Sequence, residues 1–281
     1  MPDREPANAS PDGRSPFFGV FAALARRHDP DLDLSGAYAG LLAELSVGGE
    51  VQDGPDIAFF LGQAGRFGGP VLELGCGAGR VALPLARAGH QVVAVDRSAP
   101  MLAELEARLT AEPSLRERIE ILDADLLTAP WPPRFGLVVV AAAMLPTFLV
   151  AGGDAWLRLL AGAIAPAGAL CFDAEPQLPG PYGVQRISAH TVDHPAGTVH
   201  VTQGLVVTAD PPGHVLNVYA EQPRPDGTLR AQLAGEAIRA LGDDVEARLA
   251  RVGLPVAERR EWGGGASGPP TIACVCVRDM A

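Results

Sequence analysis

The sequence predicts an α/β protein: a parallel sheet with helices on both faces, and an antiparallel β-meander inserted late. Three observations carry this. From Val71 to Asp173, short apolar runs alternate with helical stretches of about ten residues. Residues 184–236 then switch to period-two patterning, broken by Pro195-Ala196-Gly197, Pro211-Pro212-Gly213 and Pro225-Asp226-Gly227. Finally, one more helical stretch and two apolar runs close the chain.

The elements follow in order. Residues 1–16 are rich in Pro, Asp and Ser and should be a disordered tail. Residues 17–54 should form an N-terminal helical cap, with helices at 17–27 and 35–46. A helix over 55–67 is stopped by Gly68-Gly69-Pro70. Val71–Leu74 reads as a strand, and Arg80–Ala88 as a helix ended by Gly89. Gln91–Val95 is a strand, and Ala99–Leu109 a helix with Pro100 near its start. Ile119–Leu122 and Leu137–Ala141 are strands. Asp154–Ile164 is a helix opened by its Asp, and Ala169–Asp173 a strand. The meander strands are Gln185–Val192, Val199–Thr208, Val215–Glu221 and Leu229–Glu236, with Leu205, Val207, Val215 and Val218 supplying an apolar face. A helix over Asp243–Val252 and strands at Val256–Trp262 and Thr271–Arg278 complete the chain. The core is therefore expected over 55–182 and 237–281, with the insert at 183–236.

Composition narrows the function. A chain of 281 residues, 48% hydrophobic, can bury a large core. With 33 acids against 22 bases the net charge is −11, which repels phosphate backbones and argues against a nucleic-acid partner. All 22 bases are arginine. Lysine chemistry is thereby excluded, whether phosphate-loop, Schiff-base or general-base. Cys76, Cys171, Cys274 and Cys276 form no C-x-x-C pair and no disulfide framework. Cys274 and Cys276 alternate along one strand and should share a buried face. There is no signal pattern and no apolar run of about 18 residues, so a cytoplasmic protein without a membrane partner is expected.

The chemistry is concentrated in Val71-Leu-Glu-Leu-Gly-Cys-Gly-Ala-Gly-Arg80. A strand runs into a glycine turn that lets a ligand approach the backbone closely. Gly75 and Gly77 are followed by Arg80 where a dinucleotide fingerprint needs glycine. That spacing argues against a nicotinamide oxidoreductase. Glu73, two residues before the first glycine, is poorly placed beside a pyrophosphate and suits an ammonium. Asp96, at the end of the next strand, is placed to take both hydroxyls of a ribose. The ligand so described is a nucleoside without phosphates that carries an amino acid.

These motifs resemble those of class I S-adenosylmethionine-dependent methyltransferases, over roughly 55–175 and 240–281. The resemblance implies a Rossmann-like seven-stranded methyltransferase sheet, with S-adenosyl-L-methionine as cofactor and S-adenosyl-L-homocysteine as product. It implies cofactor contacts from Glu73, Gly75, Cys76, Gly77, Gly79, Arg80, Asp96, Arg97, Met101, Ala124, Asp125, Leu126 and Ala141. Within this set Asp125 would sit near the adenine amino group, with Asp123 a competing choice. Met101 would pack on the adenine, and Arg80 would pair with the cofactor carboxylate or lie over the turn. Tyr38 resembles a tyrosine that covers the methionyl end in small-molecule methyltransferases. Gly136 departs from the family, which usually has Asp there.

The acceptor side is less marked. The segment after the fourth strand, Ala141-Ala-Ala-Met-Leu-Pro-Thr-Phe148, has no ionisable group. That argues for proximity catalysis, or for a base carried on the insert. Tyr182, His190, His200 and Tyr219 are the catalytic or acceptor candidates, and the insert should form one wall of the acceptor pocket. His190 and His194 would suit a metal on a helix, but a strand sets them about 13 Å apart, so no metal is expected. The expected partner is a small-molecule acceptor, such as a bacterial secondary metabolite. Exposed meander edges leave a homodimer open. The competing reading is an inactive cofactor-binding protein with a scaffold or oligomerisation role.

Overall fold

The computed structural model describes residues 16–27, 29–49, 54–128, 131–132, 134–178, 180–263 and 270–278. The expected tail thus lies outside the described residues, apart from Pro16. The chain divides into two compact units, 50–177 with 240–281, and 1–49 with 178–239. The N-terminal helices, expected as a cap of their own, belong to the unit of the meander.

The larger unit is built on a seven-stranded sheet. Its strands are β2 (Val71–Leu74), β3 (Val92–Asp96), β4 (Ile119–Asp123), β5 (Phe135–Val140), β6 (Ile164–Ala174), β11 (Val256–Gly263) and β12 (Pro270–Val277). The order is β11-β12-β6-β5-β2-β3-β4. β2 to β6 pair in parallel, while β12 runs antiparallel between β6 and β11. The last strand is thus reversed and inserted beside the fifth parallel one.

Strand period separates two cores. Leu72, Leu74, Val138 and Val140 face α6 (Leu145–Ala163) and α7 (Asp243–Arg251), with Trp156, Leu160 and Leu249 buried between. Val71, Leu137 and Val139 face α3 (Pro55–Phe67), α4 (Ala82–Arg87) and α5 (Ala99–Ala111), with Phe60, Leu85 and Leu105. Cys274 and Cys276 lie together in the first core.

Two local departures have physical causes. α6 starts at Leu145, nine residues before the expected Asp154. Gly153, at φ 62 and ψ −162, breaks it into two helical pieces, so the sequence showed only the second. Gly136 replaces the family's usual acid because no side chain fits. A Cβ there would lie 2.3 Å from the Gly68 carbonyl oxygen, which is backbone and cannot give way.

The smaller unit carries a five-stranded sheet. Its strands are β1 (Leu32–Asp33), β7 (Gln185–Val192), β8 (Val199–Ala209), β9 (Pro212–Pro223) and β10 (Leu229–Arg239), in the order β1-β10-β9-β8-β7. β7 to β10 form the predicted antiparallel meander. The two-residue β1, parallel to β10, was not predicted and is too short for periodicity to reveal.

Helices α1 (Gly19–Ala25) and α2 (Gly40–Gly49) cover opposite faces of this sheet. Phe21 of α1 packs where Gly204 leaves room, since a Cβ at Gly204 would meet its ring at 2.2 Å. Leu41 and Leu42 of α2 pack with Val199, Val201, Ala220 and Ala234 on the other face. A buried amide anchors each. Asn217 accepts from Phe18 N at 3.1 Å and donates to Pro16 O at 2.7 Å. Gln232 accepts from Leu42 N at 2.9 Å and donates to the Ala39 carbonyl at 3.0 Å. Both amides thereby satisfy backbone groups near a helix start.

The register corrects the expected apolar face. Leu205 pairs with Leu216, Gln203 with Val218 and Val206 with Val215. Leu205, Val207 and Val218 therefore share the face of α2, and Val215 lies on the face of α1. Among the described residues, no helix is long and apolar enough to cross a membrane.

Candidate active site

The glycine turn leaves β2 at the carboxyl end of the sheet, where open α/β sheets bind ligands. Gly75, Gly77 and Gly79 all have positive φ, at 77, 53 and 86°. Val95 O anchors the turn by accepting from Gly75 N at 2.8 Å and Cys76 N at 3.0 Å. Gly79 is needed for packing, because a Cβ would lie 2.5 Å from Leu105 Cδ1. Gly77 is different: a Cβ there would meet nothing within 4 Å. Its backbone borders open space, as a close-approaching ligand requires.

Asp96 stands beside this turn. Its Oδ2 accepts from Gly77 N at 2.9 Å and its Oδ1 from Ser98 N at 2.8 Å. Glu73 is buried at the end of β2, with 2% exposure. Ala124 N donates to Asp96 O at 3.1 Å and draws the loop after β4 towards the same strand end. Met101 and Leu126 are buried, and Arg97 and Asp125 are exposed. The Asp125 carboxylate accepts from Leu127 N at 2.9 Å, which shapes its own turn. Leu126 O accepts from Trp156 Nε1 at 3.1 Å.

Two expectations change here. α4 begins at Ala82, with six residues, so Arg80 stands in the turn before the helix rather than at its start. The Arg80 guanidinium pairs with Asp56 of α3 at 2.5 Å, a partner the sequence gave no reason to choose. Cys76 is buried, and burial, then the Glu73 and Asp96 carboxylates, pushes its thiol far up.

The turn after β5 is held by a residue that sequence reasoning passed over. Ala142 and Ala143 both take left-handed backbone, at φ 60 and 56°. Such strain in alanines is uncommon and clusters at functional sites. Ala143 N donates to Asp173 Oδ1 at 3.1 Å. Asp173 lies in β6, one strand over, and is 6% exposed. Burial raises its pKa from 3.8 to about 6, and the Ala143 bond opposes this. Ala141 is buried at the same strand end. Phe148 approaches the glycine turn, its ring 3.5 Å from where a Gly75 Cβ would stand. An acid near a parallel strand's carboxyl end was the available signal for Asp173, as it was for Asp96.

In the smaller unit the register divides the acceptor candidates. His190 pairs with Val201 and lies on the face of α2. His200 pairs with Glu221 and Tyr219 with Thr202, which puts both on the face of α1. The Tyr219 hydroxyl donates to Glu221 Oε2 at 2.8 Å, and its pKa is pushed up to about 12 by burial and by that carboxylate. Tyr182 is exposed, before β7. On the α2 face, a cavity of about 360 Å³ is lined by Tyr38, His190, Gln203, Val218 and Glu236 among others.

Comparison with known proteins agrees with this geometry. Residues 71–168 match the family model described as a methyltransferase domain. The cypemycin N-terminal methyltransferase of a Streptomyces species is 33% identical over 165 residues, 55% of this chain. The match spans 61% of that relative's length. Among solved structures, the CcbJ methyltransferase of Streptomyces caelestis aligns over 87% of this chain and 99% of its own, with TM-score 0.65 and 17% identity. The sugar N-methyltransferase KedS8 of a Streptoalloteichus species aligns over 88% and 96%, with TM-score 0.63 and 17% identity. The glycopeptide N-methyltransferase MtfA, complexed with S-adenosylhomocysteine, aligns over 92% and 96%, with TM-score 0.57 and 21% identity. With the strand order, the glycine turn and the matched domain together, the chain resembles the class I S-adenosylmethionine-dependent methyltransferases.

Proposed function

We propose that this chain moves a methyl group from S-adenosylmethionine to a small-molecule acceptor of natural-product type. The observation that carries the reading is the bond from Gly77 N to Asp96, which brings the glycine turn and the strand-end acid together. The residues fit the cofactor: open space over Gly77, a half-buried Asp96 carboxylate and a buried Glu73. Asp96 would hold the ribose and the backbone at Gly77 would border the methionyl part. Ala124, Asp125 and Leu126 would flank the adenine. When bound, the cofactor supplies a methyl already activated on a sulfonium.

The protein then has to align a nucleophile and exclude water, which supplies much of the rate. The left-handed turn at Ala142–Ala143, held by Asp173, is the rigid shelf for this at the end of β5. An acceptor lone pair aligned there would take the methyl, and the displaced electron pair would remain on sulfur. If the acceptor is an amine, its nitrogen then releases a proton. Two of the proteins named above, the glycopeptide and the sugar enzyme, are N-methyltransferases, which supports an amine. The meander unit would supply the acceptor pocket.

Titration calorimetry with S-adenosylhomocysteine, followed by methyl transfer from labelled S-adenosylmethionine to a panel of amine natural products, tests the reading. Micromolar binding and labelled product are expected. Absence of binding would overturn it. Binding without turnover across the panel would favour the scaffold reading, to which the absence of ionisable side chains over 141–148 lends some support.

A further inference from the structure

We infer that the cavity on the α2 face of the meander is a subsite for an amphiphilic cation, an apolar body bearing one protonated amine, whose charge is held by Glu236. This rests on the methyltransferase reading above and names the class of its acceptor.

Three polar side chains in the cavity lie on one diagonal of the sheet. His190 stands on β7, in the row Val201–Ala220. Gln203 stands on β8, one row further, opposite Val218. Glu236 stands on β10, a further row on, opposite Leu216. Three strand spacings and four residues of register separate His190 from Glu236, roughly 20 Å between backbones. The two ends of the cavity therefore differ in chemistry. The surface between them is supplied by Val201, Leu216 and Val218.

Among the described residues, Glu236 is the lone acid in the lining. Among the described residues it makes no ion pair, and desolvation alone raises its pKa. A half-buried carboxylate without a cation is stabilised by a ligand that brings one. An anionic ligand would be repelled, and a neutral one would leave the carboxylate uncompensated. Ligand pockets of this kind combine apolar walls with a few convergent polar groups.

The test uses three probes of one shape: 4-phenylbutylamine, 4-phenylbutan-1-ol and 4-phenylbutyrate. Calorimetry on the full-length protein should rank them amine, alcohol, acid. Glu236→Gln should weaken the amine about tenfold or more, to the level of the alcohol, and leave the alcohol unchanged. S-adenosylhomocysteine should bind both proteins equally. If wild type binds the amine no tighter than the alcohol, or binds none of the three, the inference falls. It falls equally if Glu236→Gln spares the amine. Should the variant lose its structure, the wild-type ranking still decides. Failure of wild type to bind S-adenosylhomocysteine would instead strike the methyltransferase reading itself.

Discussion

Asp173 and Ala143 join two neighbouring strand ends: the buried carboxylate accepts a hydrogen bond from the Ala143 N–H at 3.1 Å. Ala143 and its neighbour Ala142 are left-handed. Each left-handed alanine costs about 1–2 kcal/mol, and a hydrogen bond to a buried carboxylate returns about 1.5–3 kcal/mol. The pair thus offsets most of the strain that shapes the turn after β5.

The pair makes stability depend on pH. Burial raises Asp173 from 3.8 to about 6. Between those values the folded state holds a proton that the unfolded state has released. The contribution of Asp173 to stability is therefore largest at low pH and falls as pH rises to about 6. Asp173→Asn cannot titrate and keeps an acceptor oxygen for Ala143. Relative to wild type, the variant should gain on the order of 2–3 kcal/mol between pH 4 and 6.5. Urea unfolding across that range measures it, and any constant cost of the substitution cancels from the slope. A flat difference would show that Asp173 does not titrate in this window.

Asp96→Ala should weaken S-adenosylhomocysteine by about 2 kcal/mol or more, roughly thirtyfold, by removing charge-assisted bonds to the ribose. The same carboxylate orients Gly77 and Ser98, so the turn loosens too. Asp96→Asn keeps an oxygen and should fall between wild type and Ala. An unchanged dissociation constant by calorimetry would remove Asp96 from the site.

The glycines of the turn should separate by role. Gly79→Ala forces a Cβ against Leu105 and Leu83 at positive φ. Its unfolding free energy should drop by about 2–4 kcal/mol, from overpacking plus backbone strain. Gly77→Ala meets no atom, so the fold should lose only about 1–2 kcal/mol. Its methyl intrudes into open space beside the ligand, and cofactor affinity should fall at least tenfold. Equal stability losses with unchanged affinity would contradict this division.

Much of this architecture was legible in the residues. Glu73, the three glycines and Asp96 carried the family resemblance, because turn chemistry and strand-end acids are local. Apart from β1, the strands of both sheets were legible, the parallel ones as short apolar runs buried on both faces and the meander ones by period two. Other features depend on contacts distant in sequence. Arg80 pairs with Asp56 from an earlier helix, and no local pattern marks that. Asp173 gains its meaning from Ala143, thirty residues away. Gly136 looked like a lost acid until the Gly68 carbonyl was seen against it. Val215 was placed on the wrong face because the tight β8–β9 turn fixes the register, and composition does not.

The same register decides which meander residues matter. His200 and Tyr219 stand on the α1 face, while His190 stands on the α2 face and lines the cavity. A β-strand cannot present both sets to one pocket, since successive side chains alternate. The Tyr219 hydroxyl is already engaged by Glu221, and its raised pKa makes it a poor base near neutral pH. Tyr219→Phe and His200→Ala should therefore leave kcat/KM within about threefold of wild type. His190→Ala removes a polar end of the cavity and should raise KM about tenfold with little change in kcat, the pattern of lost uniform binding. Steady-state kinetics with any acceptor found by the amine panel would measure all three. A large loss of kcat in Tyr219→Phe, with His190→Ala silent, would move the acceptor to the α1 face and remove the cavity from the reaction.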